Sequence, residues 1–524
     1  MKRLLFSLTA FAALSLAAAH LELDLEPGEF WWGGATADGL QMPYGKAERR
    51  LDLRFDNHTN QTSPMLVSNH GRWLWCDDPI VYEFKAGKLT VDSDGEKEIE
   101  NSRSGETLRS AYLALMEKKF PPKGVVPEKL LFSAPQYNTW IELNYHQSQQ
   151  GVLDYAHGIA ANGFPAGVIM VDDTWQTDYG VWKFDASAFA DPKAMCDELH
   201  RMGFKISLWV TPFVSMDSRE YRALEKLDAF CSVGKDPVAI RWWNGKSAAL
   251  DLTNPIALDW FKGELDYLQN TYGVDGFKFD AADVLFYKRG WEYHRAGSEP
   301  VDQCEAYSRF GEKYPLNEMR ASWKCGGAGL VQRLNDKACT WKDLSQLMPD
   351  MISAGLLGHL FVCPDMIGGG LLGSFKPGAK VDQELFVRSA QVHALSPMMQ
   401  FSAAPWRVLD REHLDCVKKT LATRAKFVDY ILAEAENSAK IGEPMLRSME
   451  YSFPGSGFAD IKDQFTLGAN LIVAPQIVQG AKTRLVALPA GEWIDDCGES
   501  HAGPAEITVD TPLARLPYFM AAEH

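Results

Sequence analysis

The chain has 524 residues, 46% of them hydrophobic, which is more than a single hydrophobic core usually organises. Two or three domains are therefore expected. The formal net charge of -16, from 69 acidic and 53 basic residues, argues against a nucleic-acid-binding protein, because such a surface needs clustered Lys and Arg side chains.

Residues 1–19 have the pattern of a secretory signal peptide. Lys2 and Arg3 precede an apolar run over residues 4–16, and three alanines follow at 17–19. The apolar run is shorter than the roughly 18 residues that a membrane-spanning helix needs, and no second run of this kind follows. We therefore expect a secreted or periplasmic protein without a membrane span.

Residues 20–128 are predicted to form an N-terminal β-sandwich. Short strand-like runs, such as Lys88–Val91, alternate with turns rich in Gly, Asp and Asn. The Gly33-Gly34 pair marks a turn, and the segment that continues through Asp38 is predicted to be a loop. That loop is either a surface hairpin or a cover that closes a substrate pocket from this domain.

Residues 129–468 alternate between strand and helix patterns, which predicts parallel strands joined by right-handed crossovers. Predicted strands include Ser133–Glu142, Val168–Val171 and Val274–Phe279. At this length a closed (β/α)8 TIM barrel is favoured over an open sheet, so the fold class is α/β. No glycine-rich phosphate loop follows a strand, which argues against a nucleotide. Residues 469–524 return to strand patterns and predict a small C-terminal β domain.

The nine cysteines are spread along the chain without a Cys-x-x-Cys pair, so neither a zinc site nor a thioredoxin-like redox centre is expected. None of the 12 histidines stands in a cluster with acidic residues at a predicted strand end, which argues against a catalytic metal. We expect no metal and no cofactor. The sequence carries no signal for an oligomeric state.

Acidic residues stand at the ends of several predicted strands, namely Asp172, Asp173, Asp280 and Asp365. The carboxyl ends of the strands form the active-site face of an α/β barrel, so these side chains are expected to meet there. A single Asp in such a position is more often a turn or helix-capping residue. Several on different strands favour a site that cleaves a glycosidic bond, because that reaction needs two carboxyl groups with different roles.

Four segments resemble glycoside hydrolase family 31. Residues 273–280, Gly-Val-Asp-Gly-Phe-Lys-Phe-Asp, resemble the nucleophile strand of that family. Arg320 precedes Asp336 by sixteen residues, the separation between the family's substrate-binding Arg and its acid/base Asp. Residues 363–369 resemble the family's Asp-Ile-Gly-Gly strand end, and residues 463–475 resemble its junction into the C-terminal β domain.

The resemblance implies a retaining α-glycosidase, in which Asp280 attacks the anomeric carbon and Asp336 protonates the leaving group and then activates water. It also implies that Lys278 lies beside Asp280 and that Arg320 and Asp365 bind substrate. From its position inside a strand, Lys278 is expected to hold Asp280 in the ionised state, because an uncompensated ammonium is costly there. Arg320 fits an ion pair with a barrel carboxylate equally well.

Two segments depart from the usual pattern of the family. The acid/base segment, usually Trp-x-Gly-Asp, reads Arg-Leu-Asn-Asp at residues 333–336, so this loop is remodelled. The Arg-Asn-His segment of many α-glucosidases is replaced by Ser-Ala-Ala-Pro-Trp at residues 402–406. The second departure weakens an α-glucosidase assignment.

The Asp172-Asp173 pair, followed by Trp175, and the Pro364-Asp365 strand end resemble the branch of the family that contains bacterial α-galactosidases and the animal myogenesis-regulating glycosidase. The axial 4-hydroxyl of galactose needs a differently placed acceptor from an equatorial one, and adjacent carboxylates can supply it. The alternative is that one Asp faces the barrel while its neighbour caps a loop, because adjacent strand residues point in opposite directions. Trp209 and Trp406 are either walls that stack on a sugar ring or core residues.

We therefore expect exo-hydrolysis of terminal α-linked galactose by double displacement, with a carbohydrate, an α-galactoside or another α-glycoside, as the binding partner. The carboxyl groups of Asp280 and Asp336 are then expected roughly 5 to 5.5 Å apart. An α-glucosidase or α-xylosidase of the same family is the alternative within this class. A carbohydrate-binding homologue that has lost catalysis is the alternative from another class.

Overall fold

The structure, a computed structural model, describes residues 19–55, 61–376 and 378–522. The predicted signal peptide lies outside the described residues except for Ala19, which begins the first strand. Among the described residues, no helix combines the length and the apolar character that crossing a bilayer requires.

The N-terminal region contributes four antiparallel strands to each of two sheets. Its strands are β1 (Ala19–Asp24), β2 (Trp31–Ala35), β3 (Arg49–Asp52), β4 (Gln61–Ser68), β5 (Arg72–Trp75), β6 (Val81–Lys85), β7 (Lys88–Ser93) and β8 (Glu100–Arg103). One sheet has the order β1-β7-β6-β3 and the other β2-β4-β5-β8. Leu66 of one sheet and Tyr82 and Leu89 of the other belong to one buried apolar cluster. The predicted β-sandwich is confirmed.

The predicted loop after Gly33-Gly34 is partly helical. A short 3-10 helix, Thr36–Gln41, follows β2 and contacts the barrel helix that spans Trp341–Leu356. At Gly39 a β-carbon would collide with the backbone of Pro349, so this close approach requires a glycine. Helix α1 (Leu108–Lys119) then leads from the sandwich to the barrel.

The middle of the chain contains sixteen strands within the described ranges. They are β9 (Gln136–Asn138), β10 (Val168–Val171), β11 (Gln176–Asp178), β12 (Val181–Phe184), β13 (Lys205–Val210), β14 (Phe213–Val214), β15 (Ser232–Val233), β16 (Asp236–Pro237), β17 (Ala239–Trp242), β18 (Gly245–Ala249), β19 (Gly276–Phe279), β20 (Leu316–Met319), β21 (Ser322–Trp323), β22 (Val331–Arg333), β23 (Phe361–Cys363) and β24 (Gln400–Phe401).

Eight of these strands form one parallel sheet in the order β23-β22-β20-β19-β13-β10-β9-β24. Its two edges meet where the backbone N–H of Ile367, just after β23, donates to the carbonyl of Gln400 in β24 at 2.8 Å. The sheet is therefore a nearly closed barrel, and the predicted TIM barrel is confirmed. The remaining short strands form hairpins and small sheets on the loops, or pair with the N-terminal sheet.

Helices connect the barrel strands and flank the sheet. They are α2 (Leu130–Ser133), α3 (Trp140–Leu143), α4 (Gln149–Ala161), α5 (Pro192–Arg201), α6 (Arg219–Glu225), α7 (Pro255–Tyr272), α8 (Pro300–Gly311), α9 (Trp341–Leu356), α10 (Gln383–Ala394), α11 (Pro405–Val408), α12 (Arg411–Lys426) and α13 (Val428–Ile441), with 3-10 turns at Val284–Phe286 and Leu372–Phe375. Helix α7 shows how the sequence sets these bounds. Asn254 caps its start, Pro255 takes its first position, and Gly273 ends it at φ 82°.

The strand predicted over Ser133–Glu142 is shorter than the sequence pattern indicates. Residues before Ala134 are helical, because α2 occupies Leu130–Ser133. The strand ends at Asn138, whose side-chain oxygen accepts the backbone N–H of Trp140 and turns the chain into α3. Apolar periodicity alone did not reveal this local hydrogen bond.

The C-terminal region is a six-stranded sheet in the order β25-β26-β27-β30-β28-β29. Its strands are β25 (Leu446–Arg447), β26 (Phe465–Leu467), β27 (Leu471–Val473), β28 (Thr483–Asp495), β29 (Ser500–Asp510) and β30 (Tyr518–Ala521), and a short helix α14 (Met449–Ser452) lies between β25 and β26. The predicted C-terminal β domain is confirmed, although its sheet begins before the predicted residue 469.

Arg424 of α12 ties together the chain segments beside the closing strands β9 and β24. Its side chain is buried, and the guanidinium donates to the backbone carbonyls of Phe132 at 2.6 Å, Ala394 and Ser396 at 2.9 Å, and Pro397 at 3.0 Å. One side chain therefore satisfies four buried carbonyl groups from two distant parts of the chain.

We expect Arg424→Leu to lower the free energy of unfolding by about 4 kcal/mol or more, because four buried carbonyl groups lose their donor and each one left without a donor costs roughly 1 to 3 kcal/mol. Urea denaturation followed by tryptophan fluorescence measures this change. Lys426→Leu, on an exposed position of the same helix, is the matched control and should change the free energy by less than about 0.5 kcal/mol. Equal effects of the two substitutions would contradict the prediction.

Candidate active site

A cavity of about 300 Å³ lies at the carboxyl ends of the barrel strands. Seven of the residues that line it were predicted from the sequence: Asp172, Asp173, Trp209, Lys278, Asp280, Arg320 and Asp336. Four more were not predicted: Trp140, Tyr145, Trp243 and Met366. The volume is at the lower end of the range for small-molecule sites, so the cavity suits one small ligand unit.

Asp280 directly follows β19 and faces the cavity as a buried carboxylate. Its Oδ2 accepts a hydrogen bond from Trp209 Nε1 at 2.7 Å, and its Oδ1 lies 3.5 Å from Arg320 Nη1. Burial by itself raises the pKa of Asp280. The charges of Arg320, Lys278 and Arg333 outweigh burial, so this pKa lies well below its ordinary value. Asp280 is ionised at neutral pH, which is the state that a carboxylate nucleophile requires.

Asp336 follows β22 and borders the same cavity. Its Oδ1 accepts a hydrogen bond from Arg333 Nη1 at 2.6 Å, and its Oδ2 lies 4.0 Å from Arg320 Nη1. Burial raises the pKa of Asp336, but the charges of Arg333 and Arg320 lower it below its ordinary value. The side chain is 33% exposed, so solvent reaches this carboxyl group much more readily than that of Asp280. One nitrogen of Arg320 thus contacts both carboxyl groups.

Lys278 and Asp172 form a buried ion pair between two barrel strand ends. Lys278 Nζ donates to Asp172 Oδ2 at 2.7 Å, and both side chains are almost fully buried. This pairing compensates the ammonium inside the barrel. Lys278 also contributes to the low pKa of Asp280, as expected from its place in the strand. For Arg320 the sequence left open a place in the substrate site and an ion pair with a carboxylate. The structure has both, because Arg320 borders the cavity and its Nε donates to Asp283 at 3.0 Å.

Asp173 also lines the cavity, and one of its carboxyl oxygens has no protein partner. Oδ2 accepts hydrogen bonds from the Asn244 side chain and from Tyr179 Oη, the latter at 3.3 Å. Oδ1 is buried and has no hydrogen-bond partner within residues 19–55, 61–376 and 378–522. Burial and the neighbouring charge of Asp172 raise the pKa of Asp173 to about 7.

The tip of the hairpin between β17 and β18 supplies two further site residues. Trp243 is 46% exposed at the cavity mouth, and its ring lies 5.3 Å from the Arg320 guanidinium. Asn244 contacts Asp173. The Asn244-Gly245 dipeptide between two short strands is a typical hairpin-turn signal and would have located this tip, although not its proximity to the barrel.

Trp140 and Tyr145, after β9, form another part of the mouth. Their rings meet edge to face with centroids 5.2 Å apart, and Trp140 Nε1 donates to the carbonyl of Gly370 at 3.0 Å. Tyr145 is 42% exposed. The strand-end rule would have indicated these residues if β9 had been given its true end at Asn138.

Asp365 was predicted to bind substrate, but the structure places it behind the cavity wall. Its side chain is fully buried, and it accepts hydrogen bonds from Arg333 Nη1 at 3.0 Å and from the backbone N–H of Lys337 at 2.9 Å. The reason is the left-handed backbone of Asp365, at φ 79°, which turns the chain directly after β23. Asp365 supports the loop that carries Asp336 and is not part of the lining.

Trp406 and Asp38 also lie outside the cavity lining. Trp406 packs against Phe164, with ring centroids 5.5 Å apart, and over α4, so it is a packing residue and not a sugar platform. Asp38 forms an ion pair with Arg49 and accepts a hydrogen bond from Tyr44 Oη at 2.7 Å. It borders a second cavity of about 290 Å³, which also includes Asn335 and Lys337.

A family model described as the glycosyl hydrolases family 31 TIM-barrel domain matches residues 132–434, and one described as the glycosyl hydrolase family 31 C-terminal domain matches residues 442–524. The myogenesis-regulating glycosidase of Mus musculus is 32% identical over 429 residues, which are 79% of this chain and 60% of that protein. An α-xylosidase of Emericella nidulans is 25% identical, over 87% of this chain and 60% of its own length. The chain therefore spans about three-fifths of the length of these relatives.

Solved structures show the same fold at lower identity. A family 31 dextranase of Flavobacterium johnsoniae, complexed with glucose, has a TM-score of 0.84 at 19% identity, over 96% of this chain and 66% of its own. A family 31 α-xylosidase from a soil metagenome, complexed with xylose, has a TM-score of 0.82 at 20% identity, over 96% of this chain and 79% of its own. These likenesses concern the fold.

The raised pKa of Asp173 gives a pH-dependent stability. Well below pH 3.8 its carboxyl group is protonated in both the folded and the unfolded chain, whereas well above pH 7 it is ionised in both, and the buried charge disfavours the folded state. We expect Asp173→Asn to leave the free energy of unfolding nearly unchanged at pH 4 and to increase it at pH 8, by about 4 kcal/mol at most. Urea denaturation at both pH values tests this, with Asp154→Asn, an exposed carboxylate on α4, as the control. A gain that is equal at the two pH values would rule out the titration of Asp173 as its cause.

Proposed function

The chain belongs to glycosyl hydrolase family 31, and from this membership we propose that it is a retaining exo-α-glycosidase that hydrolyses terminal α-linked galactose. The observation that carries the proposal is that Asp280 and Asp336 border one cavity and contact the same nitrogen of Arg320. Two carboxyl groups with different solvent exposure, on opposite sides of a glycosidic bond, are the apparatus for its cleavage.

Asp280 is the nucleophile of the proposed reaction. Its hydrogen bond from Trp209 and its contact with Arg320 fix the orientation of the carboxylate before the substrate arrives. A carboxylate oxygen attacks the anomeric carbon and forms a glycosyl ester, while the electron pair of the glycosidic bond moves to the leaving oxygen. The low pKa of Asp280 keeps it from competing for the proton that the leaving group needs.

Asp336 is the acid and then the base. Its protonated carboxyl group gives its proton to the leaving oxygen in the first step, and its carboxylate takes a proton from water in the second. The greater exposure of Asp336 supports this role, because water and the aglycone must both reach it. The two displacements at one carbon together retain the anomeric configuration.

The proposed preference for galactose rests on Asp173 and its neighbours. Asp173 lines the cavity, its buried Oδ1 has no hydrogen-bond partner among the described residues, and Asn244 and Tyr179 hold its other oxygen in place. An axial hydroxyl that reaches Oδ1 satisfies a buried polar atom, and a sugar without that hydroxyl leaves it unsatisfied. Trp209, which is also part of the wall, is almost fully buried and contributes its hydrogen bond to Asp280.

An α-xylosidase is the second candidate, because an α-xylosidase is among the relatives and the cavity is small. Xylose lacks the hydroxymethyl group of a hexose and so needs less room. We place the reaction outside the cytoplasm, in the periplasm or beyond, on the basis of the predicted signal peptide.

Asp280→Ala and Asp336→Ala should each lower kcat/KM on 4-nitrophenyl α-galactoside by roughly 10²-fold or more, because each removes a group that takes part in bond cleavage. Azide should restore turnover, giving the β-galactosyl azide with Asp280→Ala and the α-galactosyl azide with Asp336→Ala. Asp154→Ala, an exposed carboxylate on α4, should retain full activity.

Equal turnover by the wild-type protein and both cavity variants would contradict this mechanism. The first sugar released by the wild type, observed by proton NMR, should be the α-anomer, and the β-anomer would indicate inversion. If the wild-type protein hydrolyses neither the α-galactoside nor the α-glucoside nor the α-xyloside, this result would instead indicate a carbohydrate-binding homologue.

The wild type should prefer 4-nitrophenyl α-galactoside to the corresponding α-glucoside and α-xyloside. Asp173→Ala should reduce kcat/KM on the galactoside by roughly 10²-fold while changing the xyloside value much less, because the two sugars differ in the hydroxyl that meets Oδ1. Steady-state kinetics on the three substrates measures this. An unchanged ratio of galactoside to xyloside in Asp173→Ala would exclude Asp173 as the origin of the preference.

A further inference from the structure

Arg333 is a buried arginine among four carboxyl groups. It is the last residue of β22, and its side chain is 1% exposed. Nη1 lies 2.6 Å from Asp336 Oδ1 and 3.0 Å from Asp365 Oδ1, Nε lies 3.2 Å from Glu318 Oε1, and Nη2 lies 3.7 Å from Asp280 Oδ1. One guanidinium thus joins the proposed nucleophile and the proposed acid/base to two carboxyl groups behind the cavity wall.

Asp365 holds the same loop from the other side. One oxygen accepts from Arg333 Nη1, and the other accepts the backbone N–H of Lys337, the residue after Asp336. Arg333 Nη1 also lies 3.1 Å from the carbonyl of Leu334. The loop that carries Asp336 is therefore fixed on both sides of that residue by one buried Arg–Asp pair.

We propose that Arg333 and Asp365 are positioning residues that hold Asp336 at the cavity, and that Asp336 and Asp365, which share one guanidinium nitrogen, lose their protons as a coupled pair. The proposal rests on the proposed function, because it takes Asp336 as the acid/base. Neither Arg333 nor Asp365 lines the cavity, so Asp365 acts through Asp336, and Arg333 acts mainly through Asp336, its nearer contact, and less through Asp280.

The charged surroundings support this coupling. The groups that influence Asp336 come from four strand ends and are Lys278, Asp280, Arg320, Arg333 and Asp365. Those that influence Asp365 are Arg333, Asp336, Lys337 and the thiol of Cys363. Burial and the charge of Asp336 raise the pKa of Asp365 to about 7, whereas the charge of Arg333 lowers the pKa of Asp336 against the effect of burial. Two carboxyl groups that compete for one cation titrate together.

A purely structural role for Arg333 predicts a different outcome. If it served only to compensate buried charge, its loss would destabilise the fold and slow every substrate alike. A residue that acts through the acid/base affects substrates with poor leaving groups most, because only these need a proton for departure. Substitution of such a residue also shifts the alkaline limit of the pH profile, which is the pH above which kcat/KM falls because the acid has lost its proton.

The test compares Arg333→Lys, Arg333→Gln and Asp365→Asn on two α-galactosides, one with a poor alkyl leaving group and one with 2,4-dinitrophenolate. Lys keeps the charge of Arg333 but loses its forked donors. Arg333→Lys should therefore lower kcat/KM on the alkyl galactoside by roughly 10- to 100-fold and kcat/KM on the dinitrophenyl galactoside by less than about 3-fold.

The two charge-changing variants should move the alkaline limit of kcat/KM in opposite directions. Arg333→Gln removes the cation that stabilises ionised Asp336, so the acid keeps its proton to higher pH, and the limit should rise by about one unit. Asp365→Asn removes the competing carboxylate, so Arg333 binds Asp336 more strongly, and the limit should fall.

Arg388→Lys is the matched control. Arg388 is equally buried, but it contacts Gln391 and the carbonyl of Thr511 at the junction with the C-terminal sheet. This variant should retain the wild-type pH profile and leaving-group dependence. Circular dichroism identifies variants that do not fold, and Arg333→Lys and Asp365→Asn decide the question if Arg333→Gln is among them.

The outcomes separate this proposal from the function on which it rests. If the wild type hydrolyses α-galactosides while Arg333→Lys and Asp365→Asn keep its pH limits and slow both substrates equally, the positioning role is overturned and the glycosidase assignment stands. If the wild type hydrolyses no α-glycoside, both proposals fall.

Discussion

The carboxyl end of the barrel depends on compensation between cations and carboxylates that have been removed from water. Lys278 pairs with Asp172, and Arg320 and Arg333 each contact Asp280 and Asp336. A buried carboxylate without such a partner is costly, and its usual response is to take up a proton. The three cations keep Asp280 ionised in a cavity that would otherwise neutralise it. Ion pairing with these three cations thus determines both the position and the charge state of the site carboxylates.

The near closure of the barrel brings the charged side chains of the site together. The strands end close together because the sheet is almost closed, so side chains from β19, β22 and the segment after β23 reach one another with little loop between them. The more distant hairpin between β17 and β18 adds the aromatic and amide groups at the mouth. The charged groups therefore stand at strand ends, whereas Trp243 and Asn244 stand on an insertion. This division suits a family in which one barrel serves several sugars.

The residues that the sequence located correctly are those whose position along a strand decides where they point. Lys278 and Asp280 share a strand and its end, and the strand-end rule places them at the cavity. The rule is wrong for Asp365, because a left-handed turn directly after β23 directs its carboxyl group into the wall. Arg333 stood out only as a departure from a familiar motif. Trp243 and Asn244 lie far from the motif residues in the chain, and no local pattern encodes the docking of their hairpin against the barrel.

Sharing cations also constrains the chemistry, because Asp280 and Asp336 cannot be tuned independently. In the free protein the charges of Arg333 and Arg320 hold the pKa of Asp336 below its ordinary value against the effect of burial, and the negative charge of Asp280 partly opposes these two cations. In the proposed mechanism Asp280 becomes an ester after the first displacement, so its negative charge is lost while Arg320 and Arg333 remain. The pKa of Asp336 must then fall, which favours the base form that the second displacement needs. An inverting enzyme needs both carboxyl groups in opposite states at the same moment and gains nothing from such alternation. In the proposed mechanism the shared cations therefore couple the charge of Asp280 to the proton on Asp336.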